Sequence, residues 1–354
     1  MKNFWNPLVN NLKPYIPGEQ PQDQLYIKLN TNENPYPPSP KVLAAIKLAA
    51  NERLRLYPDP ECTELKNAIA SYHGLSPEQV FVGNGSDEVL AFSFLAFFDP
   101  DQTILFPDIT YSFYPVYAAI FRNNYHTVPL RDDYTLPIDT IPHKNGGVIF
   151  PNPNAPTGIS LPLISIENLL QKNKDSVVII DEAYIAFGAE SADKLINSYQ
   201  QLLIIRTMSK SHSLAGLRCG YAIGNKILIE GLNRIKSSIN SYTLDRLALA
   251  GGLEAIKDTL HLERTSKKII STRDRVAAKL RELGFQVLPS DANFLFISHS
   301  ILKAEELYSQ LKLHGILVRF FNAPRINNHL RVSIGTDDEM DLFLHKINDI
   351  CSSK

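Results

Sequence analysis

Between residues 81 and 223 the chain alternates short, continuous apolar runs with stretches whose apolar positions recur at helical spacing. The runs fall at 81–82, 103–106, 126–128, 148–150, 177–180, 202–206 and 221–223. Strands apolar on both faces belong to a sheet covered by helices on both sides, so the pattern predicts an α/β fold with a mostly parallel sheet. Ligands of such sheets sit at the carboxyl ends of the strands.

On either side the pattern changes. Prolines and polar residues dominate 13–23 and 32–40, which predicts an extended arm lying across another surface. Helical stripes follow at Val42, Leu43, Ile46 and Leu48 and again over 63–71, separated by the turn-rich Tyr57-Pro58-Asp59-Pro60. After Asn225 the chain reads as mainly helical to Leu283, then as strands at 294–297, 317–320 and 330–334, then as a last helix over 337–350. The expected division is an arm and lead-in helix (1–45), a large domain (46–245) and a smaller α+β domain (246–354). No internal repeat or low-complexity tract interrupts it.

Composition narrows the function classes. With 354 residues and 44% hydrophobic content the chain can bury a substantial core, and a net charge of -1 gives no overall field to attract nucleic acid or an anionic membrane. Any anionic substrate must therefore be held by locally placed cations. The longest apolar run, 89–98, is broken only by Ser93 and is about half of what a bilayer crossing needs, so it predicts a buried helix. The first residues mix Lys2, Trp5, Asn10 and Lys13 without an apolar stretch, unlike a signal peptide. Cys62, Cys219 and Cys351 show no paired spacing, which together with that start predicts a reducing, cytoplasmic setting. The nine histidines lack ligand spacing, so no metal site is expected.

Four local patterns sit where predicted strands end. In Val82-Gly83-Asn84-Gly85-Ser86-Asp87-Glu88 the glycines allow a tight turn into a helix whose free amides could cradle a phosphate; alone, it is also an ordinary capped turn. Asp181, in Val177-Val178-Ile179-Ile180-Asp181-Glu182-Ala183-Tyr184, could hold a pyridine nitrogen protonated, bind a metal or cap a helix. Lys210, between Ser209 and Arg218, could be an imine-forming amine if a desolvated or cationic pocket depresses its pKa, although an isolated lysine usually lies in solvent. The fourth, Phe150-Pro151-Asn152-Pro153-Asn154-Ala155-Pro156-Thr157-Gly158, is a stiff turn that can aim an amide into a site.

The order Gly85-Ser86, Asn154 to Gly158, Asp181 to Tyr184, Ser209-Lys210 and Arg218 resembles that of the fold-type-I pyridoxal 5'-phosphate (PLP) aminotransferases, class II, and spans most of the chain. Leu29-Asn30-Thr31-Asn32-Glu33-Asn34-Pro35-Tyr36, Tyr57-Pro58-Asp59 and Leu330-Arg331-Val332-Ser333-Ile334-Gly335-Thr336 are similar to the histidinol-phosphate aminotransferase branch. The resemblance implies a mostly parallel seven-stranded sheet between helices. It also implies that Lys210 carries the Schiff base and moves the proton, that Asp181 pairs with the pyridinium nitrogen, and that Tyr184 binds the cofactor's phenolic oxygen. Gly85, Ser86, Asp87, Ser209 and Arg218 would hold its phosphate, Tyr111 would stack on its ring, and Tyr57 would reach the phosphate of a neighbouring subunit in a homodimer with shared active sites. Relatives carry asparagine where this chain has Ala155, so either Asn154 swings in or Tyr184 acts alone. Arg331 and Arg319 match the residues that grip substrate carboxylate and phosphate, with Tyr15 and Asn34 lining the pocket. His212, beside the lysine, is read as a packing variant of an aromatic position.

The implied reaction moves an amino group between histidinol phosphate and 2-oxoglutarate, in histidine biosynthesis. Alternatives are an aromatic amino acid aminotransferase, a phosphothreonine decarboxylase and a non-catalytic PLP sensor of the kind that regulates transcription. Such regulators add a basic helix-turn-helix domain, whereas the arm here is short and proline-rich.

Overall fold

The computed structural model describes residues 4–352; Lys2 of the amino-terminal stretch, and the outermost residues of the expected arm and small domain, lie outside the described residues. The arm contains a short helix, Pro7–Asn11, and a two-residue strand β1 (Ile27–Lys28). The large sheet follows: β2 (Val80–Asn84), β3 (Thr103–Pro107), β4 (Asn124–Val128), β5 (Val148–Pro151), β6 (Val178–Asp181), β7 (Leu202–Thr207) and β8 (Cys219–Gly224). The spatial order is β2-β8-β7-β6-β5-β3-β4, and β8 alone runs antiparallel to its neighbours.

The apolar runs are continuous because each strand except the mostly exposed edge strand β4 serves two cores. Val178 and Ile180 of β6 pack in one core with Leu65, Ile69 and Ala248, whereas Ile179 between them packs in the other with Val89, Phe94 and Leu232. Helices Thr63–His73 and Arg246–Lys257 cover the first face, and Gly85–Phe97 and Lys226–Ile239 cover the second.

The smaller unit is built on helix Thr259–Glu282 and strands β9 (Phe285–Val287), β10 (Phe294–His299), β11 (Ile316–Leu317), β12 (Arg319–Phe320) and β13 (Leu330–Ser333), closed by helix Asp337–Ser352. Its antiparallel sheet has the order β12-β13-β10-β9. Strand β1 pairs in parallel with β11, which lays the arm across this unit.

Helix Arg246–Lys257 contributes Ala248, Ala255 and Ile256 to the first core, and Val42 of helix Pro40–Ala49 joins the same core. Among the described residues no helix is long and apolar enough to cross a membrane.

Candidate active site

One edge of the large sheet gathers the four patterns. Strand β2 delivers Gly85 and Ser86 to the start of helix Gly85–Phe97, β3 delivers the loop carrying Tyr111, and β6 ends on Asp181. Strand β7 runs into the helical turn Met208–Ser211 carrying Lys210, and β8 starts immediately after Arg218 because it runs the other way. Ser86, Tyr111, Asp181, Lys210 and Arg218, together with the small unit's Arg319, Phe321 and Arg331 and the arm's Tyr15, line a cavity of about 240 Å³.

Lys210 lies at its floor. Its Nζ donates to the Thr31 carbonyl at 2.9 Å. Burial strips water from the ammonium and Arg331 repels its charge, so its pKa drops to about 8, with Glu33 and Asp87 opposing. Asp181 is pushed the other way, to about 7, chiefly by burial; the Ala183 amide at 3.1 Å and the Tyr114 hydroxyl at 3.3 Å only partly compensate. A buried carboxylate with no cation against it is costly, and a protonated ring nitrogen is a group that would satisfy it.

The cradle beside them is built by close backbone approach. A Cβ on Gly220 would come within 2.4 Å of the Gly85 carbonyl carbon and of the Ser86 nitrogen. Gly85 holds φ +71°, and a Cβ there would lie 2.6 Å from the Arg218 guanidinium, so the helix start and that cation close on one another. Arg218 donates to Asp87 at 2.8 Å, and Tyr111 donates to the other oxygen of the same carboxylate at 2.9 Å. Ser209 accepts from the Thr207 hydroxyl at 2.9 Å, and Thr207 caps the turn that bears the lysine. Free helix-end amides, two hydroxyls and a guanidinium form an anion site of the kind a phosphate ester needs, with the lysine, the strand-end acid and the Tyr111 ring within one cavity. These donors fit PLP.

At the mouth, Arg319 of β12 stands directly opposite Arg331 of β13 in the ladder. Like charges facing each other across a strand pair are destabilising unless an anion lies between them. Arg331 is half-buried, gives one hydrogen bond to the Asn30 carbonyl (3.0 Å), and has a buried Nε with no partner among the described residues. Burial holds its pKa below the usual arginine range. Its guanidinium lies over the rings of Phe294 and Phe321. Arg319 donates to the Ile16 and Pro17 carbonyls at 3.1 and 3.3 Å and so also pins the arm.

Other expected residues lie elsewhere. Asn154 does not line the cavity: its amide donates to the Ile109 carbonyl and to Thr157 Oγ1, both at 3.0 Å, and Ala155 presents its methyl instead. Asn34 braces the lysine from behind through the Lys210 and Ser211 carbonyls, at 3.0 and 3.3 Å, without lining the cavity. Tyr15 lines it and stacks on Phe113. Tyr57 is 77% exposed, stacked on Tyr242, and away from this chain's own cavity. His212 bonds Ser211 and faces a separate cavity behind the sheet, its pKa lowered to about 4 by burial and Arg206. No group of potential metal ligands occurs among the described residues.

Sequence reasoning missed three contributors. Asn32 holds φ 55° and donates to the Tyr184 hydroxyl at 2.9 Å, while its backbone is fixed by Ser333 and Asn293. Asparagine tolerates that conformation, which was the one available signal. Tyr114 holds Asp181 from a helix, and Thr31 holds Lys210 through a carbonyl, which any residue would supply.

Comparison with known proteins agrees with this geometry. Residues 25–347 match the family model described as aminotransferase class I and II. The histidinol-phosphate aminotransferase of Clostridium acetobutylicum is 58% identical over 349 residues, covering 99% of each chain, and that of Clostridium beijerinckii is 54% identical over 353 residues, covering 100% of this chain and 99% of the relative. The crystal structure of histidinol-phosphate aminotransferase from Sinorhizobium meliloti in complex with pyridoxal-5'-phosphate superposes with a TM-score of 0.88 at 25% identity, covering 100% of this chain and 99% of the other. A crystal structure of the same name from Clostridium acetobutylicum gives 0.86 at 25% identity, covering 93% of this chain and 100% of the other. The gap between 58% and 25% makes the latter a different chain from the first relative.

Proposed function

The chain belongs to the class I and II aminotransferase family, and from that premise we propose that it moves an amino group between histidinol phosphate and 2-oxoglutarate, giving imidazole acetol phosphate and glutamate, with PLP as cofactor. The observation that carries the substrate reading is the facing pair Arg319 and Arg331 above a cavity floored by Lys210 and Asp181. A ping-pong reaction must take a phosphate and a carboxylate in turn at one anion site, and two guanidiniums without a carboxylate partner suit both.

PLP, when bound, supplies the carbonyl carbon that takes up the amine and the conjugated ring that draws off electrons as the substrate Cα–H bond breaks. Lys210 would anchor the cofactor, and its Nζ would be the base for the substrate Cα proton. An amine with a pKa near 8 is matched to that task at neutral pH, where an ordinary lysine is not. Asp181 holds a proton on the ring nitrogen. Because Asn32 already donates to the Tyr184 oxygen, the tyrosine's own proton is free to be given into the cavity, which supplies the bond that Ala155 cannot. Ser86, Ser209 and Arg218 would hold the phosphate, with Asp87 orienting Arg218 and fixing Tyr111 beside the ring's place.

Two finer readings accompany this one. A homodimer with shared sites is supported by exposed Tyr57 and the exposed Leu54 and Leu56 beside it. A cytoplasmic setting is supported by three cysteines that are all free. The deciding experiment compares histidinol phosphate with phenylalanine as amino donors to 2-oxoglutarate. Histidinol phosphate should turn over with the higher kcat/KM; a preference for phenylalanine would replace the substrate assignment.

A further inference from the structure

The loop between β12 and β13 leaves the small unit and is fastened to the large one. Arg325, near its middle, donates through Nη1 to Asp108 at 2.9 Å and through Nη2 to the carbonyls of Leu130 and Arg131 at 2.8 and 2.9 Å. In return the Tyr134 hydroxyl donates to the Arg325 carbonyl at 2.9 Å, and the guanidinium lies over the Tyr134 ring. Asp108 is itself fixed, its other oxygen accepting from the amides of Ile109 and Leu130, both at 2.9 Å.

Two further features mark this contact as more than a surface ion pair. Arg325 and Tyr134 both hold left-handed backbone, at φ 66° and 64°, a conformation that residues with a Cβ avoid unless their surroundings impose it. Next to them Ile326 and Phe296 of the small unit are buried in the large core, and His329 stacks on Phe296 at 4.7 Å with Tyr134 edge-on to both.

What the loop joins gives the contact its meaning. On the small unit it connects β12 to β13 and so carries Arg319, Phe321 and Arg331. On the large unit Asp108 starts the loop that carries Tyr111. We propose that Arg325, with Asp108 and Tyr134, is a positioning clasp that fixes the distance between the substrate-gripping arginines and the wall that binds the cofactor ring. None of the three touches the cavity. Facing guanidiniums tend to splay apart when no anion is bound, and a loop held at its middle by four hydrogen bonds opposes that. The proposal rests on the reading of Arg319 and Arg331 as the anion grip.

The test uses the holoenzyme with Arg325→Met, Arg325→Lys and Asp108→Asn, and with Arg331→Gln as reference. Steady-state KM and kcat are measured for histidinol phosphate, glutamate and histidinol, which lacks the phosphate, alongside cofactor absorbance and melting temperature. Misplacement by an ångström can cost on the order of 100-fold, so Arg325→Met should raise KM for both anionic substrates roughly 10-fold or more, and Asp108→Asn by less. The preference for histidinol phosphate over histidinol should shrink, while kcat and the cofactor spectrum stay near the parent's. Unchanged KM values, or a loss confined to kcat or to melting temperature, overturn the clasp. If Arg331→Gln also leaves KM unchanged, the anion-grip reading fails with it; if only the Arg331 variant responds, the clasp alone is wrong. Should Arg325→Met not fold, Arg325→Lys and Asp108→Asn decide by the same criteria.

Discussion

The cavity has a floor and a mouth, and they are built in different ways. The floor is made of strand ends in one sheet: Asp181 closes β6, Lys210 follows β7 by three residues, and Ser86 follows β2 by two. Each closes or follows a strand buried on both faces, so its position is inherited from the core. The mouth is assembled from remote pieces, with Tyr15 from the arm, Arg319 and Arg331 from facing strands of the small unit, and a loop that crosses back to the large one. The difference separates chemistry from choice of substrate. Groups that break bonds are placed by strand ends of one sheet, whereas groups that select the substrate are contributed jointly by two units and an arm.

Replacing floor residues should therefore reduce kcat, and replacing mouth residues should raise KM. The largest effect is expected at the amine: Lys210→Ala should lower kcat by roughly 10⁴-fold or more, because it removes both the anchor and the base. Single-turnover assays with added PLP and histidinol phosphate check it. A loss under tenfold would place the base elsewhere.

Asp181→Asn should lower kcat by roughly 10²- to 10³-fold, in the range seen when one electrostatic stabiliser is removed, with little change in KM. It also has a stability signature. Asp181 has a folded-state pKa of about 7 against an ordinary 3.8, so the cofactor-free protein holds an extra proton between those values and loses stability as pH rises through 7. The asparagine variant avoids that loss. Its melting temperature without cofactor, relative to the parent's, should rise from pH 5 to pH 8; a constant difference would contradict the raised pKa.

At the mouth, Arg331→Gln should raise KM for glutamate and histidinol phosphate by about 10²-fold, the loss of a charged, partly desolvated contact, while kcat falls less. Arg319→Gln should cost about tenfold and act more on histidinol phosphate than on glutamate. Equal effects of both variants on both substrates would remove the division of labour between the two arginines. The smallest change is expected at Asn154: its amide faces Ile109 and Thr157, so Asn154→Ala should alter turnover by less than about threefold, its cost appearing in thermal stability instead.

The same contrast explains what could be read from the amino-acid order. Six of the seven large-sheet strands were legible because a strand buried on both faces has to be a continuous apolar run, the edge strand β4 being mostly exposed, and the floor residues were legible because they follow those runs directly. That helix Arg246–Lys257 packs in the core with Leu65 and Val178 was not legible, since its apolar stripe does not say which core it meets. Strands β1 and β9, with two and three residues, were too short to show a period. Asn32, Tyr114 and the register of Arg319 against Arg331 depend on contacts between distant segments, which local pattern does not encode. Asn154 shows the converse: it stands in the right turn, but its neighbours use up the amide.

The central claim is that one half-buried amine carries the cofactor. Borohydride reduction of the holoenzyme followed by peptide mass mapping tests it directly. The account predicts a single phosphopyridoxyl group, on the peptide that contains Lys210. A label on any other lysine, or none on a protein that still turns over substrate, would contradict it.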